Sequence, residues 1–374
     1  MSEVYFVSRR AKAGKGLVDK LRRLIKAAQI MDCVNEQDLV AVKMHFGERG
    51  NTGTIRPPFV GAVVQEIREK KARPFLTDTN TLYRGSRANA VDHLDTAMEN
   101  GYAYATVKAP IIIADGLDGK DYRNIPVPKG KRLQEAKIAA VPLDADAMIV
   151  LTHFKGHEMT GFGGAIKNMA MGLASRSGKL IQHSDIKPTI NEKCKVCGKC
   201  VKWCPADAIS LAERAVIAED RCIGCGECTV TCPHKAIAIN WAIDPGLLQE
   251  KMAEYAYAAV REKREKGKIA FITFVTDVTP ECDCCSWSDT PLVPDLGILA
   301  SFDPVALDQA CYDLVNQAPG LIDNRLADAG QESTAPGMDK FRMVHPSVDG
   351  TIQLRHAEEL GLGTRKYKLV RLPE

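Results

Sequence analysis

Eight cysteines between positions 194 and 232 constrain the fold of this chain more than any other feature. They form two runs with the pattern Cys-x-x-Cys-x-x-Cys-x-x-x-Cys-Pro, and the second run begins 28 positions after the first, at 222 rather than 194. The flanking residues repeat too, since Ala208-Ile209 corresponds to Ala236-Ile237. The segment is therefore an internal duplication, and each copy carries four thiols at identical spacing.

This spacing is that of the two-cluster bacterial ferredoxins, in which three closely spaced thiolates bind one cluster and the fourth binds the other. The sequence therefore predicts two 4Fe–4S clusters and one-electron chemistry. The predicted ligands of the first cluster are Cys194, Cys197, Cys200 and Cys232, and those of the second are Cys222, Cys225, Cys228 and Cys204. Two zinc sites are the alternative, but they would leave the third cysteine of each run and the trailing Cys-Pro unexplained.

On both sides of the cysteine runs, apolar strand-like segments alternate with segments of helical periodicity. Strands are predicted at 4–7, 39–44, 74–77, 147–151, 269–275, 296–300 and, at an edge, 367–372. Helices are predicted at 16–31, 57–71, 86–100, 245–266 and 304–316, and the tail after 318 is polar. Such alternation predicts an α/β fold, with a mostly parallel sheet and helices on both faces. The predicted α/β domain spans 1–186 and 244–374, and a small α+β two-cluster ferredoxin-like domain interrupts it at 187–243.

Composition narrows the class of partner. The formal charge excess is only +3 on 374 residues, which argues against nucleic acid because phosphate binding needs clustered Lys and Arg. No run approaches the roughly 18 apolar residues of a membrane span, and the N-terminus lacks the apolar core of a signal peptide. These features predict a cytoplasmic protein without membrane insertion. In a reducing compartment, clustered cysteines indicate metal ligation rather than disulfides.

A Gly-rich segment follows the strand at 147–151 and carries His157, Lys167 and Asn168. Its glycines would let a ligand approach the backbone, and the helix predicted after Gly164 would direct free amides at an anion. Lys167 would add a positive charge for phosphate or carboxylate. The alternative is a structural turn with solvated polar side chains. Further along, His183 is a candidate metal ligand or proton-transfer group, or else a structural histidine.

Further polar residues lie at other junctions of strands and helices. They are Arg56, Asp78, Asn80, Tyr83 and Arg84. Because ligands of open α/β sheets gather at the carboxyl ends of the strands, we expect these side chains to converge on one crevice that binds a substrate or an anion. The alternative is that each belongs to an ordinary polar loop.

A third group of thiols, Cys282, Cys284 and Cys285, follows the strand at 269–275. Adjacent cysteines rarely pair with each other, because their disulfide would be strained. The three thiolates could hold zinc or an additional iron–sulfur centre together with a fourth ligand. They could instead be redox thiols that accept electrons from the clusters, or structural cysteines.

Several of these segments resemble the uncharacterised iron–sulfur centre proteins of domain of unknown function 362. The segments that carry the resemblance are 77–85, 156–157, 164–172, 182–183 and 282–289, and the resemblance extends over roughly residues 1 to 320. It implies the architecture described above and a place in the metabolism of anaerobic bacteria and archaea. The biochemical role of that family is largely unassigned.

A more distant resemblance concerns the run His157-x-x-x-Gly-Phe-x-Gly-x-x-Lys167, followed by His183. It is similar to the central motif of the nickel-pincer lactate racemase family. That resemblance implies an acid/base role for His157, attachment of a nucleotide-like cofactor to Lys167, nickel ligation by His183 and substrate or phosphate binding by Arg56. Tyr83 stands where that family has a second catalytic histidine, and racemisation needs two opposed acid/base groups. A shared fold and crevice with changed chemistry is therefore expected.

The leading hypothesis is an iron–sulfur redox protein, a ferredoxin-dependent oxidoreductase that passes electrons through two clusters to a substrate or cofactor site in the α/β domain. A reduced ferredoxin or flavodoxin-type protein would be the donor. His157 would donate a proton, with Lys167 and Tyr83 as the other catalytic residues. One alternative is a non-catalytic electron-transfer subunit that docks a partner oxidoreductase. Another is a cofactor or cluster maturation protein, with the third thiol group as a labile delivery site.

Overall fold

The computed structural model describes residues 1–183, 188–239 and 243–373. The domain boundary predicted between 186 and 187 lies outside these residues. The main feature is an eight-stranded sheet. In spatial order its strands are β16 (Tyr367–Arg371), β1 (Ser2–Ser8), β15 (Gly297–Ser301), β14 (Ile269–Val275), β7 (Ala147–His153), β2 (Leu39–Lys43), β3 (Arg73–Asp78) and β4 (Ile111–Ile113).

The sheet is mostly parallel, as the sequence predicted. Only β15 runs antiparallel to its neighbours β1 and β14, and all the other pairs of this sheet are parallel. The carboxyl ends of β14, β7, β2 and β3 therefore meet at the same edge of the sheet. Side chains from that edge and from the loops beyond it can reach one another.

Four two-stranded antiparallel ribbons accompany the sheet within the described ranges. They pair β5 (Tyr122–Pro126) with β6 (Glu135–Ala139), β8 (Lys155–His157) with β9 (Gly161–Gly163), β10 (Thr189–Ile190) with β13 (Ile237–Ala238), and β11 (Ile209–Leu211) with β12 (Ala215–Ile217).

Helices cover both faces of the sheet. They are α1 (Leu17–Ala27), α2 (Pro57–Glu69), α3 (Ala90–Glu99), α4 (Tyr104–Val107), α5 (Ala140–Asp144), α6 (Ala165–Ala170), α7 (Arg176–His183), α8 (Lys199–Lys202), α9 (Glu227–Thr231), α10 (Pro245–Glu265), α11 (Pro304–Gln317), α12 (Arg325–Asp328), α13 (Lys340–Val344) and α14 (Ile352–Leu360). Short 3₁₀ turns lie at Ile30–Cys33 and Gln331–Thr334. The polar tail thus contains short helices that its composition did not predict.

Alternation along the strands divides the apolar residues between two cores. In β7, Met148 and Val150 face one core, while Ile149 and Leu151 face the other. This is the period of two expected when a strand is covered on both sides. Helices α6, α10, α11 and α14 contribute to the first core, and α1 and α2 contribute to the second. The prediction of helices on both faces is confirmed.

The segment of the two cysteine runs has a small core of its own. Its members are Cys200, Ile209, Ala215, Cys228, Cys232, Ala236 and Ile237. The repeated Ala-Ile pairs of the duplication lie in this core, so both copies bury the same positions. Within the described ranges, no helix combines the length and the apolar character that crossing a bilayer demands.

Candidate functional site

The cysteines of the two runs line two small cavities. The first cavity contains Cys194, Cys197, Cys200 and Cys232, and the second contains Cys204, Cys222, Cys225 and Cys228. Each cavity thus combines three cysteines of one run with the last cysteine of the other. Four thiols around one cavity are a donor set that suits zinc or an iron–sulfur cluster.

Two glycines at equivalent positions of the duplication turn the chain around the cavities. Gly198 and Gly226 precede α8 and α9 with φ of +71° and +73°, a conformation that glycine adopts without a steric penalty. Their surroundings differ. A Cβ on Gly226 would lie 2.9 Å from Cδ1 of Leu82, whereas one on Gly198 would meet Cδ1 of Leu211 at 3.6 Å. The second copy is therefore packed tightly against the α/β fold at this point.

In both copies of the duplication, the backbone amide of an equivalent alanine donates a hydrogen bond to a cysteine sulfur. The amide of Ala208 donates to Sγ of Cys204 at 3.3 Å, and the amide of Ala236 donates to Sγ of Cys232 at 3.3 Å. Such N–H···S bonds stabilise thiolates and tune the metal centre that they bind. The duplication has therefore kept the surroundings of the sulfurs as well as their spacing.

A buried ion pair joins the cysteine segment to the α/β fold. Nη1 of Arg176, at the start of α7, lies 2.7 Å from Oε2 of Glu227, which stands between two cysteines of the second run. Arg176 also donates to the carbonyls of Thr81 and Ala88. The sequence patterns did not indicate this pair, although the acidic residue between Cys225 and Cys228 was an available signal. The pair holds the second cavity against residues 79–89.

Residues 79–89, here called loop 79–89, connect β3 to α3 and contact both groups of thiols. Nη1 of the exposed Arg84 donates to the carbonyl of Cys232 at 3.2 Å. The hydroxyl of Tyr83 lies 3.2 Å from the carbonyl of Cys284 and accepts a hydrogen bond of 2.6 Å from Arg87. The helix predicted from 86 begins later, at Ala90, because Asn89 caps it. The extra residues form this bridging loop.

The third thiol group meets the Gly-rich segment at the carboxyl edge of the sheet. Donor atoms of His157, Cys282 and Cys284 all lie within 4.8 Å of one another, and Nζ of Lys167 lies 3.3 Å from Sγ of Cys282. We call these four residues the thiol pocket. The hydrogen bond from Cys284, with Lys167 and His157 beside it, holds the pKa of Cys282 well below its usual value.

Backbone packing explains how His157 reaches the thiols. It ends β8, whose Gly156 amide donates to the carbonyl of Thr279 at 2.8 Å. A Cβ on Gly156 would lie 2.1 Å from the carbonyl oxygen of Pro280, so only glycine permits this approach. Nδ1 of His157 accepts the amide of Met159 at 3.1 Å. Burial, with the positive Lys167 nearby, lowers the pKa of His157.

Asp283 anchors the segment that carries the thiols. Its fully buried carboxylate lies 2.9 Å from Nδ1 of His153, at the end of β7, and 2.9 Å from Nζ of Lys155. Burial alone would raise the pKa of Asp283, but these two positive partners lower it. Asp283, between Cys282 and Cys284, is thereby fixed to the end of β7 and the start of β8.

Asp78 and Asn168 lie at the same edge, where both contact a residue that the sequence analysis missed. Nζ of the fully buried Lys43 lies 3.0 Å from Oδ1 of Asp78 and 2.7 Å from Oδ1 of Asn168. Burial would raise the pKa of Asp78, but Lys43 beside it brings the pKa below its usual range. A lysine that ends an otherwise apolar strand was the available signal. Both predicted residues therefore face Lys43 rather than open space.

The amides that the sequence analysis assigned to an anion already have a partner. Oδ1 and Oδ2 of Asp308 accept the amides of Ala165 and Ile166 at 2.7 and 2.9 Å. Burial raises the pKa of Asp308 to about 7. The carboxylate of Asp308, in α11, therefore accepts the amides at the start of α6. Lys167 lies beside Cys282 instead.

The remaining candidates fall into two groups. Burial, with His157 and Lys167 as further causes, lowers the pKa of His183 to about 3. Arg56 is instead exposed at the start of α2 and pairs with Asp277 at 3.0 Å. Asn80 is buried, and its Nδ2 donates to Asp115 at 2.9 Å. Cys285 is half-buried beside the pocket.

Comparisons with known proteins support a family assignment. The family model described as domain of unknown function 362 matches residues 40–313. Among solved structures, the lactate racemase apoprotein from Thermoanaerobacterium thermosaccharolyticum is similar with a TM-score of 0.47 and 12% identity, covering 98% of this chain and 82% of that one. A structural-genomics protein from Thermotoga maritima has a TM-score of 0.41 and 13% identity, covering 83% of this chain and 61% of that one. No curated protein sequence matches the chain.

Proposed function

This chain belongs to the family of domain of unknown function 362, and from that starting point we propose that it is an iron–sulfur redox protein. In this proposal, electrons pass through two 4Fe–4S clusters in an inserted ferredoxin-like domain, residues 187–243, to the thiol pocket of the α/β domain. The observation that carries the proposal is loop 79–89, which contacts the cluster cysteines through Arg84 and the thiol pocket through Tyr83.

The donor set of each cavity supports the clusters. Each cavity holds four sulfurs, three from one run and one from the other, which is the grouping used by two-cluster ferredoxins. Bound clusters would supply one-electron transfer at potentials set by nearby hydrogen bonds and by burial. The amides of Ala208 and Ala236 would provide two of those hydrogen bonds.

Loop 79–89 supports electron transfer between the clusters and the thiol pocket. Arg84 contacts the carbonyl of Cys232 at 3.2 Å, and the adjacent Tyr83 contacts the carbonyl of Cys284 at 3.2 Å. Two neighbouring residues of the loop thus connect the cluster cysteines to the thiol pocket. The buried pair of Arg176 and Glu227 holds the second cavity on the same loop. A carrier that served only external partners would not need its clusters fixed to an internal site.

The thiol pocket is the proposed receiving site. His157 would supply a proton to a reduced ligand, and Lys167 would offset the negative charge that arrives with electrons. Asp78 and Asn168 would act indirectly, because both hold the buried Lys43 at the carboxyl edge of the sheet. In this proposal Arg56 and Arg84 stay at the rim, where Arg56 meets an anionic ligand and Arg84 orients the clusters.

The first cavity is the proposed entry point for electrons. Exposed Lys195 and Lys199 line it, and exposed apolar side chains of Val196 and Trp203 lie in the same segment. A positive rim around an apolar centre suits an acidic one-electron carrier, since opposite charges steer the encounter. A reduced ferredoxin or flavodoxin-type protein has that chemistry.

The test is a count of iron and acid-labile sulfide on full-length protein purified without oxygen, followed by reduction with an acidic flavodoxin-type carrier. The proposal predicts about eight iron and eight sulfide per chain and rapid reduction of both clusters. A Cys204→Ser variant should lose the second cluster selectively, although Cys204 belongs to the first run. Zinc without sulfide, or loss of the first cluster in that variant, would contradict the proposal.

A further inference from the structure

We propose that His157, Cys282 and Cys284 bind a divalent metal ion, distinct from anything held by the eight cysteines of the runs. Their donor atoms lie within 4.8 Å of one another, with His157 and Cys282 buried and Cys284 half-buried. In a tetrahedral zinc site the metal–ligand distances are about 2.0–2.3 Å, which places ligand atoms about 3.5–3.8 Å apart. Movements of about an ångström would therefore close the site around an ion.

The donor set selects the class of ion. Two thiolates and one imidazole suit zinc, iron(II) and nickel(II), whereas magnesium and calcium prefer oxygen ligands. Three protein ligands also leave a fourth position open, which is the arrangement of catalytic rather than structural zinc sites. The ion would therefore be able to accept a small ligand. With the ion bound, His157 would be its ligand rather than the proton donor proposed above, and a water molecule at the open position would supply the proton instead.

The surroundings hold the two thiols in place before any ion arrives. Asp283 lies between them in the chain, and its carboxylate is fixed by His153 and Lys155 at 2.9 Å each. Nζ of Lys167 lies 3.3 Å from Sγ of Cys282, where it would donate a hydrogen bond to a metal-bound thiolate. Contacts of this kind orient ligands and adjust their basicity.

The hydrogen bond that His157 accepts opposes the ion and is weak. Nδ1 of His157 accepts the amide of Met159 at 3.1 Å, so coordination through Nε2 would place the ring proton on Nδ1 and give up that hydrogen bond. A single neutral hydrogen bond contributes far less than coordination of an ion by two thiolates. The site therefore favours the ion.

The inference stands independently of the clusters, and its test uses protein whose clusters are complete. One equivalent of Zn²⁺ is added to full-length protein without oxygen, the sample is desalted, and zinc, iron and sulfide are counted together. Zinc K-edge absorption ignores iron and reports only the ligands of zinc. We expect one zinc per chain, with two sulfurs at about 2.3 Å and one imidazole nitrogen at about 2.0 Å.

Neighbouring cysteines provide matched variants. Cys284→Ser should weaken zinc binding by about 100-fold or more, since even loss of an outer hydrogen-bond partner weakens metal sites 10–100-fold. Cys285→Ser removes the adjacent thiol, which is not one of the three donors, and should retain zinc fully. An unchanged iron count in both variants shows that each has folded.

Two results would overturn the inference. One is wild-type protein with complete clusters that retains no zinc. The other is zinc binding that survives Cys284→Ser or that shows only oxygen and nitrogen ligands. A deficient iron and sulfide count with normal zinc binding would instead count against the proposed function and leave this site in place.

Discussion

Arg176 and Glu227 form a buried ion pair, with 2.7 Å between Nη1 and Oε2, across the contact between the α/β fold and the cysteine segment. Both side chains are almost completely excluded from solvent. A charge of either sign would be costly there without its partner, because desolvation in a protein interior is only offset by a close opposite charge. The pair therefore favours the docked position of the second cavity.

Replacing one member of this pair should destabilise the protein strongly. Glu227→Gln should lower the free energy of unfolding by about 3–5 kcal/mol, because Arg176 stays buried without its close partner. Arg176→Met should cost less, because Glu227 keeps the partly exposed Lys120 at 3.7 Å. The double variant should lose less than the sum of the two single variants. Denaturant unfolding of the cluster-loaded protein measures this coupling.

The exposed pair of Lys131 and Glu359 is the control. Lys131→Met should cost less than about 1 kcal/mol, because surface ion pairs contribute little. If Glu227→Gln were as mild as that control, the pair would not hold the cysteine segment in place.

Gly198 and Gly226, at equivalent positions of the duplication, allow the effect of packing on stability to be measured. Ala at either position meets the same unfavourable left-handed backbone, at about 1–2 kcal/mol. Gly226→Ala should cost about 1–3 kcal/mol more than Gly198→Ala, because its Cβ would overlap Leu82. Denaturant unfolding and iron retention give the two values. Adding Leu82→Ala should rescue Gly226→Ala and leave Gly198→Ala unimproved, and equal costs at both glycines would contradict the packing described.

Asp308 should make stability depend on pH. Burial raises its pKa from 3.8 to about 7 in the folded protein. The folded state thus binds the proton more tightly, so the contribution is fully present below about pH 4 and is lost as the pH rises to about 7. The full loss is about 4 kcal/mol at about 1.4 kcal/mol per pKa unit.

Unfolding measured between pH 5.5 and 8.5 should therefore show stability that falls to about pH 7 and then levels off. Asp308→Asn removes this titrating group, so the slope should become shallower, while Glu281, whose pKa burial also raises to about 7, keeps its own contribution. Asp244→Asn, which alters the cap of α10, should keep the full slope. An unchanged slope in Asp308→Asn would assign the pH dependence to other groups.

Charge reversal at the first cavity should slow electron entry. The double change Lys195→Glu and Lys199→Glu should lower the rate constant for reduction by an acidic carrier about tenfold or more at low salt, because steering is lost. Stopped-flow reduction at several salt concentrations measures this. Lys70→Glu with Lys71→Glu makes the same charge change at the end of α2 and should leave the rate unchanged.

Much of the fold follows from short-range patterns. The apolar runs at 39–44 and 147–151 correspond to β2 and β7, and the proline pair begins α2 as predicted. The long helix predicted at 245–266 is α10, and the edge strand at 367–372 is β16. These elements were predictable because periodicity, caps and prolines act on neighbours in the chain.

The short helices of the tail and the late start of α3 were not predictable in this way. Neither α12 nor α13 extends far enough to show a clear apolar period. Loop 79–89 replaces the first turn predicted for α3, since the amide and hydroxyl of Ser86 bond the carboxylate of Glu48. That contact joins residues 38 positions apart, so no local sequence pattern predicts it.

By itself, the sequence determined the repeated spacing of the eight cysteines and the strand–helix alternation. Spacing and periodicity carry that information because they describe residues close together in the chain. Only the tertiary structure decided that Asp308 fills the amides of α6, that Lys167 faces Cys282, and that loop 79–89 touches both groups of thiols. Those contacts join residues as far as 201 positions apart, and they depend on how whole elements pack.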